Sequence, residues 1–325
     1  MSLDPLAAAP DAQMRRLVDD FLAAQRSPGT SSSYAADVAI FLGWLAARGK
    51  HPLETARPDI DRYRNWLAEP IGPDGKPTAN GRPRYAPATV ARKLSAVRAL
   101  YTYLTERRIL AGSPAAGVKG PHVTREPRGR AIGDDHVRLL LAAAVEHSAQ
   151  AEAIVCLLLL NGLRVTEVCN VNVEHLQREP GGGHSVTIRG KGGKDARVAL
   201  NDRTELAVLA VAAARSSGPL LRRQDGRRAR HDSAAPWLPY NRQAVSRLLV
   251  ELGQQSGLLG DDKDQVDRLY PHRLRHTFVT MLLDRDVSLP AVQDAARHAS
   301  ADTTRLYDRS RIAFKEHPTH QLVFD

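Results

Sequence analysis

AIVCLLLLNGLRVTEV, residues 153–168, is the stretch on which the fold of this chain turns. Its first eight residues are all apolar. A membrane helix needs about 20 such residues. Eight fit a core helix buried on every side. Gly162 then breaks the helix, and Arg164 follows two positions later. A guanidinium at the end of a wholly apolar helix calls for an anion. Glu167 can supply one as an ion-pair partner; a bound anion is the other option.

Downstream, HSVTIRG and ARVAL alternate with the period of a strand. The glycine-rich GKGGKD joins them as a hairpin with Lys191 at its tip, within a three-stranded region. Helices are expected at Arg203–Ala214, Arg242–Gln255, Arg273–Asp284 and Leu289–Ala296, and around Thr303–Tyr307. Between the first two of these, RRQDGRRARHDSAAPW reads as a basic surface loop. Upstream of the apolar run a further helix begins near Asp134, whose carboxylate suits an N-cap.

The first half carries only helical periodicity. Helices are expected over Met14–Ala24, from N-cap candidates Ser31–Ser33 to Arg48, over Asp59–Leu67 after Pro58, and over Thr89–Arg107. The last has a stripe of Val90, Leu94, Val97, Leu100, Tyr101 and Leu104, with Arg92, Lys93 and Arg98 placed on its other faces. A Pro- and Gly-dense loop spans Pro70–Pro87. Ala111–Gly133 reads as an exposed basic linker with no core of its own, either a plain tether or a strip lying on phosphates. The expected class is mainly α with a small β-sheet. The expected domains are residues 1–118, all helical, a linker at 119–132, and a mixed α/β domain at 133–325.

The chain has 325 residues, 42% hydrophobic and 25% charged. That composition excludes a disordered chain, a collagen and a multi-span membrane protein. No basic segment precedes an apolar stretch at the N-terminus, so no signal peptide is expected. Two cysteines, Cys156 and Cys169, stand in no metal-like pair and point to a reducing compartment without zinc. The formal net charge is +10, which favours a polyanionic partner, nucleic acid first, over charge that serves solubility alone. With aromatics at 5%, stacking on single strands is not the first expectation.

Familiar catalytic motifs fail. GKGGK has no Ser or Thr after Lys194, and Ile188 stands where a P-loop needs its first glycine. No dinucleotide turn, HExxH, two-metal acidic cluster or GxSxG is present. What remains is a series of cations and one tyrosine. After Arg164 and Lys191 comes PHRLRH, residues 271–276, where His272 and Arg275 share one face of a helix start. Helix N-termini attract phosphate. His276 lies one step round and suits a supporting role. Then comes His298, with Tyr307 nine residues later. Each residue alone reads more simply as packing, capping or a solvated charge.

Taken in order, these residues resemble the tyrosine recombinase family, nearest in look to Xer-type and compact phage or transposon integrases. GLRVTEV, RGKGGKDARVAL, PHRLRHTFVTMLL and HASADTTRLYDR carry the resemblance over the second half, and TVARKLSAVRALYTYL extends it more loosely into the first. The resemblance implies a helical core-binding, SAM-like domain followed by a catalytic domain, closing on duplex DNA as a clamp. It implies that Tyr307 attacks the scissile phosphate, giving a 3′-phosphotyrosyl link and a free 5′-hydroxyl. His272 would take the tyrosine proton, Arg164 and Arg275 would clamp the phosphate oxygens, His298 would donate to the same phosphate, Lys191 would protonate the leaving oxygen, and Glu167 would orient the site. Arg92, Lys93 and Arg98 would contact DNA. No metal, cofactor or ATP is expected.

The implied partner is double-stranded DNA with specific sites, held by a homo-tetramer or a hetero-tetramer with a related recombinase, in the cytoplasm of a bacterium or phage host, at the nucleoid. A type IB topoisomerase-like activity, a telomere resolvase and an inactive DNA-binding protein are the alternatives. Two departures stand out. Arg297 occupies a position that is usually glycine in the family, and the Pro70–Pro87 loop is long. A separate arm-binding domain ahead of the core-binding region is not expected. The tail carries Ile312, Phe314, Leu322, Val323 and Phe324, which would dock on a neighbouring protomer or fold back on their own domain.

Overall fold

The structure, a computed structural model, describes residues 9–71, 76, 78, 81–123, 131–189, 195–224, 237–258 and 269–298. The chain divides into two compact units, Met1–Thr124 and Arg125–Asp325.

The first unit is helical. α1 (Ala12–Ala23) is capped by Asp11, whose carboxylate accepts the Met14 N–H at 2.7 Å. α2 (Pro28–Ala46) starts earlier than expected: Ser27 caps it by accepting from Thr30 N–H at 3.1 Å, and Pro28 fills the first turn. α3 is Arg57–Ala68, and α4 is Pro87–Glu106. Their apolar stripes meet in one core in which Phe41, Tyr63 and Tyr101 are fully buried. The Phe41 and Tyr63 rings pack edge to face at 4.9 Å, a favoured aromatic geometry.

Two expectations for this unit are corrected. Lys93 does not face outward. It is buried on the core side of α4, with Nζ 3.0 Å from Asp37 Oδ1 and 4.6 Å from the Tyr85 ring centre. Asp37 is itself buried, so the ammonium supplies the partner that a buried carboxylate needs. Arg92 completes the cluster from a half-exposed position. The stretch expected as a bare linker also has a core side. Ala115 and Val118 are buried in the first core, and Ile132 in the second. Arginines hold its carbonyls: Arg57 donates to Ala116 at 2.8 Å and to Gly117 at 3.2 Å, and Arg98 donates to Val118.

The second unit begins with α5 (Asp134–His147). Gly133, not Asp134, is its N-cap, and Asp134 sits in the first turn, where a carboxylate favours the helix dipole. α6 (Ala149–Leu159) is the expected core helix, with every residue from Ala153 to Leu159 buried. α7 (Val165–Cys169) follows the Gly162 break. β1 (Leu176–Arg178), β2 (His184–Arg189) and β3 (Asp195–Ala199) form an antiparallel sheet in chain order. In its register Val186 opposes Val198, and Arg189 opposes Asp195. α8 (Asp202–Ala212) packs on α6.

The stretch expected as a basic loop is structured at both ends, where β4 (Arg222–Gln224) pairs with β5 (Trp237–Pro239). α9 (Arg242–Gln255), α10 (Pro271–Leu283) and α11 (Leu289–Ala296) complete the described part. Among the described residues no helix is long and apolar enough to cross a membrane. The hairpin tip with Lys191, and everything beyond His298, including Tyr307 and the apolar tail, lie outside the described residues.

Candidate active site

The site grows from the break after α6. Gly162 has φ +58, a left-handed conformation natural to glycine. A Cβ there would stand 2.3 Å from Phe278 Cδ1 on α10. Gly162→Ala therefore combines backbone strain with overpacking and should destabilise the protein by about 2–4 kcal/mol. Thermal unfolding checks this; an unchanged Tm would contradict it.

The turn ends at Arg164, the N-cap of α7. Glu167, in the first turn, accepts the Arg164 N–H on Oε2 at 2.7 Å and its Nη1–H on Oε1 at 2.8 Å. One carboxylate thus satisfies a helix-start donor and orients a guanidinium. Burial pushes the Glu167 carboxyl up. The Arg164 N–H and guanidinium, with Arg297, outweigh that and hold it below the usual range. The Arg164 side chain remains 42% exposed, so the ion pair does not take it out of reach of a ligand.

α10 brings the second arginine. Arg275 is buried, and its two terminal nitrogens donate to the carbonyls of Gly162 and Ala296. It joins the turn after α6 to the end of α11. His272, one turn earlier on the same helix, is exposed. It opens onto a groove of about 650 Å³ shared with Val165, Tyr270, Ser246, Arg242 and Arg247. The last three lie on one face of α9, and the arginines were not singled out from the sequence. Their signal was the i, i+4 spacing of Arg242 with Ser246 and of Gln243 with Arg247. His276 is buried and pushed down to about 4, first by burial and then by His272 and Arg273, in keeping with a supporting role.

α11 ends at Arg297, which adopts φ 53, ψ 47. A left-handed non-glycine residue costs about 1–3 kcal/mol and persists only where its surroundings hold it. Here they do. Arg297 Nη2 donates to Glu167 Oε2 at 2.9 Å, and its carbonyl accepts from Arg164 Nη2 at 3.2 Å. His298 follows, with its N–H bonded to Gln293 O at 3.0 Å. Its ring is pushed down to about 4 by burial, then by Arg275, Arg164, His272 and Arg297. Near pH 7 it is therefore neutral, with one ring N–H to donate.

The structure thus brings together Arg164, Glu167, Arg275 and His298, with His272 close enough to influence His298. An anion placed among these groups would meet two guanidiniums and an imidazole donor. Arg92, Lys93 and Arg98 belong to the other unit.

Residues 130–313 match the phage integrase family, and residues 19–108 match the phage integrase N-terminal SAM-like domain. A Caulobacter vibrioides protein named tyrosine recombinase XerD is 30% identical over 287 residues, covering 86% of this chain and 85% of its own. The Agrobacterium fabrum XerD is 29% identical over 331 residues, covering 94% of this chain and 92% of its own.

Among solved structures, the XerH site-specific recombinase in its post-cleavage complex with palindromic difH substrate aligns at TM-score 0.65 and 14% identity, over 97% of this chain and 90% of that one. The Tn1549 transposon integrase in complex with circular intermediate DNA aligns at TM-score 0.63 and 15% identity, over 99% of this chain and all of that one. These two alignments speak to the fold, which is the two-domain architecture described above. The family follows from the sequence: both domain matches fall in chain order, and the catalytic match spans the whole arginine and histidine cluster. The chain is a member of the phage integrase family of tyrosine site-specific recombinases.

Proposed function

We propose that this recombinase cuts and rejoins duplex DNA at specific sites through a covalent link to Tyr307. The tyrosine oxygen attacks the scissile phosphorus, and the bond to the 5′-oxygen breaks. A 3′-phosphotyrosyl ester and a free 5′-hydroxyl result. A 5′-hydroxyl from another strand reverses the step, so the phosphodiester energy is conserved and no ATP is consumed.

The observation that supports this reading is that Arg275 bonds the carbonyls of Gly162 and Ala296, each two residues from Arg164 or His298, and that both guanidiniums act on the His298 ring. Planar guanidiniums suit the non-bridging oxygens of a phosphate, whose charge grows at the transition state. His298, neutral before DNA arrives, donates a further hydrogen bond. The Tyr307 phenol has a pKa of about 10 and needs a base near pH 7. His272 is that base, exposed at the start of α10. Lys191 gives its proton to the departing 5′-oxygen. Each step uses side chains of this chain, so the scheme includes no metal.

The partner is double-stranded DNA, contacted by Arg92 and Arg98 on the first unit and by the α9 face on the second. Four protomers on two sites complete the reaction, all of this chain or paired with a related recombinase, in the bacterial cytoplasm. A plasmid-relaxation assay run beside a two-site recombination assay tests the proposal. Recombinant product supports it; relaxation without recombinants points to a topoisomerase-like enzyme.

Lys191→Ala isolates the acid step. Cleavage of an ordinary phosphodiester should fall by about 10²–10⁴, as for loss of a general acid. A 5′-bridging phosphorothiolate, whose leaving group needs no proton, should restore it. Equal defects on both substrates would rule out this role for Lys191.

A further inference from the structure

We infer that Arg297 is a positioning residue that locks Arg164 and His298 into one preassembled unit through Glu167. The inference rests on the catalytic roles proposed above for Arg164 and His298. Glycine is the usual residue here in the family that the sequence resembles, and glycine would reach the observed left-handed turn at φ 53 without strain. This chain instead places a side chain that is only 16% exposed, and aims it inward.

The contacts close a loop. Arg297 Nη2 holds Glu167 Oε2 at 2.9 Å, the same oxygen that accepts the Arg164 N–H at 2.7 Å. The other Glu167 oxygen holds Arg164 Nη1 at 2.8 Å. Arg164 Nη2 returns to the Arg297 carbonyl at 3.2 Å. Arg164 is thus gripped from two sides: through Glu167, and directly by the backbone of the residue next to His298. A glycine could offer that carbonyl but not the guanidinium on Glu167. Without it, a buried carboxylate keeps only the Arg164 contacts, and the turn bearing His298 loses its side-chain tether to α7. Arg297 Nη2 is bonded to Glu167 and Nη1 to the Ala295 carbonyl at 3.3 Å, which argues for positioning over a direct phosphate contact.

The test uses the full-length protein with Arg297→Gly, Arg297→Lys, Glu167→Gln and the Arg297→Gly/Glu167→Gln double variant. Single-turnover trapping on a nicked suicide duplex reads the rate, and a gel shift reads binding. Arg297→Gly relieves backbone strain, so it should fold. Its cleavage should fall on the order of tenfold to a hundredfold, the scale of misplacing a reacting group, at nearly constant affinity. Arg297→Lys should recover part of the rate, since it keeps the charge without the planar fork.

The double variant should be no slower than Glu167→Gln alone, because both changes break one linkage. In DNA-free protein, NMR titration of the Glu167 carboxyl should move up in Arg297→Gly. Full-rate cleavage by Arg297→Gly, additive losses in the double variant, or an unmoved Glu167 titration would each overturn the inference. A wild-type protein that traps no adduct would sink the proposed function instead, and the titration would still decide whether Arg297 holds Glu167.

Discussion

Tyr307→Phe is expected to bind its DNA with near wild-type affinity and to trap no covalent complex on a nicked suicide duplex. The substitution removes one oxygen and little else, so the change in shape and charge at neutral pH is small. Without that oxygen no phosphotyrosyl bond can form at residue 307, and the phosphodiester energy has no covalent store there. The loss should therefore be total within detection. An adduct trapped by Tyr307→Phe would remove Tyr307 as the nucleophile and, with it, the proposed chemistry.

The two arginines should both fail in cleavage and differ in what else they cost. Arg164→Ala and Arg275→Ala should each lower the cleavage rate by at least about 10²–10³, the effect of losing one donor aimed at developing charge. Arg164 is part-exposed, and after its removal Glu167 keeps the backbone N–H of residue 164 and the Arg297 guanidinium. Its removal should cost about 1 kcal/mol of stability.

Arg275 is buried, and truncating it strands the carbonyls of Gly162 and Ala296. Unsatisfied buried acceptors cost about 1–3 kcal/mol each, so a loss of roughly 2–4 kcal/mol is expected. For a unit of this size that lowers Tm by roughly 5–15 °C. Cleavage assays paired with thermal unfolding check both halves. Near-normal cleavage by both variants would reject the phosphate clamp; equal stability would reject Arg275 as the link between the turn after α6 and the end of α11.

Much of this was legible in the sequence because it is local. The unbroken apolar run of α6, the glycine stop at Gly162 and the alternation of β2 and β3 each state their structure within a few residues. Pairing within one helical turn, as for Arg164 with Glu167, is equally local. What escaped depends on partners far along the chain. Lys93 lies between Val90 and Val97 on α4, on the buried side, and Asp37 from α2, with the Tyr85 ring, makes that position tenable for an ammonium.

Ala115 and Val118 sit among prolines and glycines, and their burial depends on α3 and α4 supplying arginines to the intervening carbonyls. The start of α2 slipped by a few residues because Ser27, ahead of the expected Ser31–Ser33, supplies the cap. The bond from Arg297 to Glu167 joins residues 130 positions apart, and nothing in the local motif around His298 announces it.

The Asp37 cluster bears on how the protein's charge acts on DNA. Protein–DNA affinity falls with salt according to how many phosphates lose their condensed counterions, by about 0.9 in log K per log salt for each phosphate neutralised. A cation buried against a carboxylate inside the fold displaces no such ion, whereas one that stays half-exposed beside its partner, as Arg92 does, can still meet a phosphate. Lys93 is committed to Asp37, and Lys50 is drawn to Asp59. The basic residues of the first unit are therefore divided between internal cohesion and the outer electrostatic footprint. The effective valence that a salt titration reports is set by the outward-facing share, below what a tally of lysines and arginines suggests.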